Sequence, residues 1–202
     1  MGNDKIELGD VLNFFEYEKV RERMRGRVID LKRARRVPVG RHLSFVFENR
    51  DTVLFQIQEM CRVERITDDA KIQNELDVYN ALLPKPGELS ATLFIEITDK
   101  DQIQAVLDRF LGIDTGGIDA GPTVWIQVGK DFAVPGEFEA GHSDEEKGKL
   151  SAVHFVRFSF PPGAVSAFLD SPVHLVVDHP AERARVELSA ATKAELLADL
   201  RG

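Results

Sequence analysis

The sequence predicts an α+β two-layer domain. It would hold a mixed or mostly antiparallel sheet of about six strands, helices on one face and an N-terminal helical segment. Three observations predict it. Short runs of alternating apolar and polar residues recur between stretches that carry a helical apolar stripe. Most of those runs mix in polar positions, so one sheet face is less buried than in a parallel sheet covered on both sides. No strand, glycine loop and helix follow one another as a nucleotide-binding fold requires. The chain has 202 residues, 43% of them hydrophobic and 30% charged. A single domain over 1–202 with a packed core is therefore expected.

The N-terminal helical segment covers residues 1–36. Asp10 to Tyr17 reads as one helix and Glu18 to Arg36 as a second. In the second, Val20, Met24, Val28 and Leu31 form one stripe. Gly26 weakens that helix by ~1 kcal/mol relative to alanine. Val37-Pro38-Val39-Gly40 reads as its stop. His42 to Phe47 alternates as a strand. Asp51 to Ile66 is a helix with Asn49 or Asp51 as its cap. Its main stripe is Val53, Leu54, Ile57, Met60 and Cys61, with Phe55, Val63 and Ile66 on the opposite side. Apolar residues on two sides imply cover on two sides. Glu59 and Arg62 stand three apart and are expected to pair.

Asp69 to Leu83 is a third helix, closed by Pro84 and Pro86. Strands follow at Leu89 to Ile97, Thr123 to Val128, Ser151 to Phe160, Val173 to Asp178 and Ala184 to Leu188. Helices fall at Asp101 to Leu111, at Pro162 to Leu169 with proline near its start, and at Ser189 to Leu200. Gly129 to Lys149 carries four glycines, a proline and six acids without a sustained period, so a mobile acidic loop is expected over 129–149.

Composition excludes several classes. One cysteine permits no internal disulfide, and no Cys-x-x-Cys is present to build a thiolate zinc site or an iron–sulfur cluster. The polar, acidic start lacks a signal-peptide core, and Met1-Gly2-Asn3 lacks the Ser or Thr at position six that myristoylation wants. A cytoplasmic protein is expected. A net charge of −8 excludes a globally basic nucleic-acid binder.

Charge is nevertheless segregated. Lys19 to Arg41 holds ten basic residues against Glu22 and Asp30, a net +8 that leaves −16 elsewhere. Arginine forks bind carboxylate or phosphate in bidentate fashion. Arg21, Arg25, Lys32, Arg33, Arg35, Arg36 and Arg41 are therefore candidates for binding a partner or an anion. The plain structural alternative is that the helix pairs with the protein's own acidic body. Nucleic acid is a further alternative, although no aromatics interleave with the arginines as a stacking platform.

His154 shares a strand face with Val156, Phe158 and Phe160, so it is either a hydrogen-bonded core histidine or a ligand in an apolar pocket. Asp178-His179-Pro180 ends a strand, where a turn is the plain reading. His154 and His179 are the candidate metal ligands, and they could share an ion only in an antiparallel arrangement. Glu139-Ala-Gly-His142 matches a diiron spacing by chance. The glycine-rich run 112–121 follows a helix and precedes a strand, the reverse of a phosphate loop. Cys61 lies on the buried stripe and reads as an inert core thiol. The sequence requires no cofactor.

Four stretches carry a resemblance: Val39 to Met60, Ile72 to Asn80, Ser151 to Phe158 and Val177 to Pro180. Together they resemble an uncharacterised bacterial family, domain of unknown function 3501, over nearly the whole chain. The 129–149 insert is the part without a match. The resemblance implies no catalytic residues. It implies a genomic setting near rubrerythrin-like proteins and iron–sulfur oxidoreductases. Among the matching polar positions, Glu48, Asn49, Arg50, Gln58, Glu59 and Asn80, with Arg62 beside them, are expected to form a polar network, since buried polar groups need partners.

The function expected is that of a non-enzymatic accessory protein docking a redox or iron protein. The docking surface would be the arginine-rich helix, the second apolar side of the 51–66 helix, or both. The alternatives are a metal- or small-ligand-binding enzyme or sensor using His154, and nucleic-acid binding through Lys19 to Arg41.

Overall fold

The computed structural model describes residues 4–115, 121–139, 143–144 and 149–202. The termini of the Gly112–Gly121 connection are described but its centre is not, and His142 and residues 1–3 also lie outside the described residues. Helix α1 (Phe14–Arg35) is one continuous rod rather than two helices. Strand β1 (Arg36–Val39) follows directly. Then come β2 (Leu43–Phe47), α2 (Arg50–Val63), α3 (Asp69–Tyr79) and β3 (Glu88–Ile95). Helix α4 (Ile103–Arg109), β4 (Val124–Val128), β5 (Phe132–Phe138), β6 (Ser143–Asp144) and β7 (Lys149–Leu150) lead to β8 (Val153–Ser159). The chain ends with α5 (Pro162–Ala167), β9 (Val173–His179), β10 (Glu182–Glu187) and α6 (Ala190–Arg201).

The sheet has eight strands in the order β1-β2-β3-β8-β5-β4-β9-β10. Every pairing in it is antiparallel. This corrects the expected two-layer domain with six strands and helices on one face. The six expected strands are present, and β1 and β5 complete the sheet. The sequence reads Val37-Pro38-Val39-Gly40 as the stop of a helix, and β5 falls inside the 129–149 stretch expected to be a mobile acidic loop, of which 140–142 and 145–148 lie outside the described residues. In β1 the proline sits on a terminal strand, where a missing N–H is tolerated. In β5, Phe132–Pro135 pairs with β4 and Gly136–Phe138 pairs with β8, so the strand changes partner at the Pro135-Gly136 step. A Cβ at Gly136 would stand 2.8 Å from Val156 Cγ2 and 3.2 Å from the Val124 carbonyl oxygen, so only glycine fits that corner.

The accumulated twist of eight strands brings β1 round to β10, and the sheet becomes a nearly closed, barrel-like wall. The Arg41 N–H donates to the Glu182 carboxylate across the seam at 2.9 Å. Gly40 turns there with φ 65°, and a Cβ on it would collide with that carboxyl group.

The concave face is filled by the protein's own side chains. Phe45, Phe47 and Phe158 are fully buried there, and α4, α5 and α6 add Val106, Ala164, Leu196 and Leu200 to the same core. A second apolar cluster lies outside the wall, where α2, α3 and the N-terminal residues cover Phe155 of β8. Strand β2 is also buried on both faces, with α1 packed against it, and its alternation is lost. No helix among the described residues is long and apolar enough to cross a membrane.

Candidate functional site

Helix α1 starts at Asn13, whose side chain accepts the Glu16 N–H at 3.0 Å. Lys32, Arg33 and Arg35 fill its last turn, where cations complement the helix dipole. Only Tyr17, Val28 and Arg35 are fully buried along its length. A helix with so thin an apolar stripe must be held by polar contacts, and it is. The Tyr17 hydroxyl donates to Glu59 Oε1 at 2.6 Å, and the Arg21 fork donates to both Glu59 oxygens at 2.7 and 2.8 Å. The Arg21 guanidinium and the tyrosine hydroxyl hold the Glu59 carboxyl below its ordinary range, against the opposing effect of burial. Burial, with Glu59 as acceptor, pushes the Tyr17 hydroxyl up. Arg62 donates to Glu18, and Arg27 reaches Asp51 at 2.8 Å. The expected Glu59–Arg62 pair is thus replaced by two pairs that cross to α1.

Arg35 is not on the surface. Its side chain is 2% exposed and donates to both Asp199 oxygens of α6, at 2.6 and 3.1 Å, with Glu195 at 3.3 Å. It therefore offers nothing to a partner. Arg36 pairs with Glu96 at 2.7 Å, donates to Ser44 at 3.1 Å and lies 5.6 Å above the Phe94 ring. Arg21, Arg27, Arg35 and Arg36 are thus neutralised by acids on other elements. Among the described residues Arg25 and Arg33 meet only Glu22 and Asp30 of the same helix, at 3.9 and 2.8 Å, and both remain exposed. Lys19, Arg23, Lys32 and Arg41 have no carboxylate partner among the described residues.

Where α1 meets β1, Ile29 and Pro38 floor a depression of about 410 Å³ ringed by Lys32, Arg33 and Arg36. Ile29 is 43% exposed and Phe15, further along α1, is 78% exposed. This is the candidate site: a cationic ridge with apolar footholds. On α2, Val63 is exposed, but Ile66 packs into the outer cluster, so the second apolar side there is mostly covered by the protein itself.

The other polar positions flagged in the sequence are fasteners. Asn49 caps α2 and exchanges bonds with Thr52. Glu48 is buried beside it and accepts the hydroxyls of Thr52 and Thr92 at 2.5 and 2.6 Å. Arg50 pairs with Asp10 at 2.7 Å. Gln58 takes both main-chain groups of Leu12, at 2.7 and 3.1 Å, and Asn80 takes both of Ile6, at 2.8 and 2.9 Å. They tie the first strand of chain to α2 and α3 at separate points. The family resemblance singled out these residues, but nothing in the sequence pointed to Ile6, Asp10 and Leu12 as their partners.

His154 is buried on the concave face. Its Nε2 lies 2.7 Å from the Ser151 carbonyl and its Nδ1 lies 3.5 Å from Asp114 Oδ2, with the Phe138 ring edge-on. His179 stacks on Phe110, donates from Nε2 to the Leu111 carbonyl at 3.1 Å, and accepts the Ala181 N–H at Nδ1. Burial pushes its pKa down, partly opposed by the Leu111 carbonyl. The two histidines stand on β8 and β9, which β5 and β4 separate. Among the described residues no group of three or more His, Cys, Asp or Glu is placed to hold a metal ion. Cys61 is buried and free, and burial pushes its thiol up, away from the reactive thiolate.

No curated protein matches the chain. A crystal structure from Burkholderia pseudomallei K96243, described as a novel protein of unknown function, is similar to it with TM-score 0.88 and 32% identity. The match covers 98% of this chain and 100% of that one. Residues 5–200 match the family model described as protein of unknown function, DUF3501. With the whole fold inside that match, the chain belongs to the DUF3501 family.

Proposed function

We propose that this protein is a non-enzymatic accessory protein that docks an acidic protein partner on the outward face of α1. The observation that carries the reading is the division of the arginines. Those facing the body are neutralised by its own acids, while Lys32 and Arg33 ring an apolar foothold at Ile29 and Pro38. A half-buried lysine and an exposed arginine, paired within its own helix, around an apolar floor match a partner helix with carboxylates flanking one apolar side chain. A nucleic acid fits less well, because Arg21, Arg27, Arg35 and Arg36 are held by internal carboxylates.

The redox and iron setting implied by the family resemblance names the bait, a rubrerythrin-like protein from the same genome. Its binding is measured by calorimetry at low and moderate salt. Reversal of Lys32 and Arg33 together (Lys32→Glu, Arg33→Glu) is expected to weaken it by at least ~10-fold, and added salt to weaken it further. Affinity unchanged by the double reversal would sink the reading.

A further inference from the structure

We propose that the groove between α2 and α3, filled in this structure by the chain's own residues 4–12, is a peptide-binding site for a partner segment of the same shape, extended at both ends with one 3-10 turn matching Leu8–Asp10. That segment would carry one aliphatic anchor and a carboxylate four residues later. The proposal is independent of the α1 reading.

The groove reads the residues it holds mainly through their backbone. Asn80 donates to the Ile6 carbonyl and accepts the Ile6 N–H, and Gln58 does the same for Leu12. A side-chain amide used in this way holds the main chain at Ile6 and at Leu12, on either side of the Leu8–Asp10 turn, without reading a side chain. Only two side chains are recognised firmly. Ile6 is fully buried against Ile57 and Leu76 in the outer cluster, and Asp10 pairs with Arg50 at 2.7 Å. Lys5, Glu7, Leu8 and Gly9 are exposed.

The arm also underfills its groove. A partly open pocket of about 140 Å³ remains beside it, lined by Leu8, Val11, Leu12, Cys61, Ile66 and Ile72 among others. That is close to the ~150 Å³ that accommodates a benzene ring. A second copy's arm would leave the same void. A partner segment with a larger apolar side chain at the Val11 position would fill it, and this decides for a partner over a second copy.

The test uses full-length chain and a fluorescent peptide of residues 4–13, Asp-Lys-Ile-Glu-Leu-Gly-Asp-Val-Leu-Asn. The tethered arm competes at an effective concentration on the order of millimolar. Ile6→Asp in the protein frees the groove, and anisotropy is expected to show the peptide binding at least ~10-fold tighter than to the unaltered chain. Asp10→Lys loosens the arm without uncovering the core and serves where Ile6→Asp fails to fold by circular dichroism. A Val11→Phe peptide is expected to bind more tightly still, and Asn80→Ala with Gln58→Ala to abolish binding. Absence of binding to a folded arm-loosened chain, or binding indifferent to the Asn80 and Gln58 changes, overturns the proposal. A dimer that dissolves on adding the unaltered peptide, with no gain from Val11→Phe, would place a second copy in the groove and overturn it as well.

Discussion

Asp199→Ala removes one half of a buried charge pair and leaves the other in place. The Arg35 guanidinium is 2% exposed, so the substitution strands a charge that water barely reaches. Breaking a buried pair from one side costs about 3–5 kcal/mol. Glu195 remains 3.3 Å away but is 41% exposed, which offsets part of the loss and favours the lower end, about 3 kcal/mol. For a chain of this size each kcal/mol moves the melting temperature by roughly 2–4 °C, so a fall of about 6–12 °C is expected by calorimetry. Replacing both partners with apolar residues, Arg35→Met with Asp199→Leu, removes the stranded charge and is expected to recover most of that loss. Two results would refute the reasoning: a single variant within about 1 kcal/mol of the parent, or a double variant no more stable than the single. Urea denaturation gives a second reading of the same difference through the midpoint. Hydrogen exchange is expected to place the loss at the end of α1 and in α6, the two elements the pair joins.

Three further expectations follow from single residues. Glu59 has a lowered pKa in the fold, so the stability it contributes is fully present above the ordinary value of 4.5 and is lost as pH falls through the lowered one. Glu59→Gln is expected to flatten that acid limb of the stability profile, and an unchanged slope would count against the Tyr17–Glu59–Arg21 cluster. His179 is also lowered, so its contribution is complete above the ordinary 6.5 and fades as pH falls through the lowered value. An imidazole titration by NMR is expected to give a midpoint below 6.5, and a midpoint at or above it contradicts the buried neutral ring. Gly26 sits in mid-helix with nothing within 4 Å of an added Cβ, so Gly26→Ala is expected to raise stability by about 1 kcal/mol in urea denaturation; a loss would mean that the position is not the open one described.

Six strands were legible because each carries an apolar face toward the concave core, although β2 and β3 are covered on their other face as well and do not alternate in burial. The two that were missed contain Pro38 and Pro135-Gly136, residues that break strands in isolation and are tolerated here at a sheet end and at a corner. The polar set from Glu48 to Asn80 was legible as unusual, but its meaning was not. Asn80 meets Ile6 across 74 residues and Gln58 meets Leu12 across 46, separations that no local spacing rule spans. Glu59 shows the same limit. Its i, i+3 neighbour Arg62 was the natural expectation, yet its bonds go to Arg21, 38 residues away.

Six of the eight sheet strands, most helices, charge segregation and the buried character of Cys61 and His154 were determined by the sequence alone, because periodicity and composition act over a few residues. Family membership was legible too, in four short runs spread along the chain. Sheet closure, the burial of Arg35 and the cis-filled groove were decided only in three dimensions. Ten basic residues along one segment look alike in sequence. Which of them point at the acidic body, and which at solvent, depends on how a 22-residue helix is rotated against α2 and α6. That rotation is set by contacts such as Tyr17–Glu59 and Arg35–Asp199, formed between residues that only the closed fold brings together.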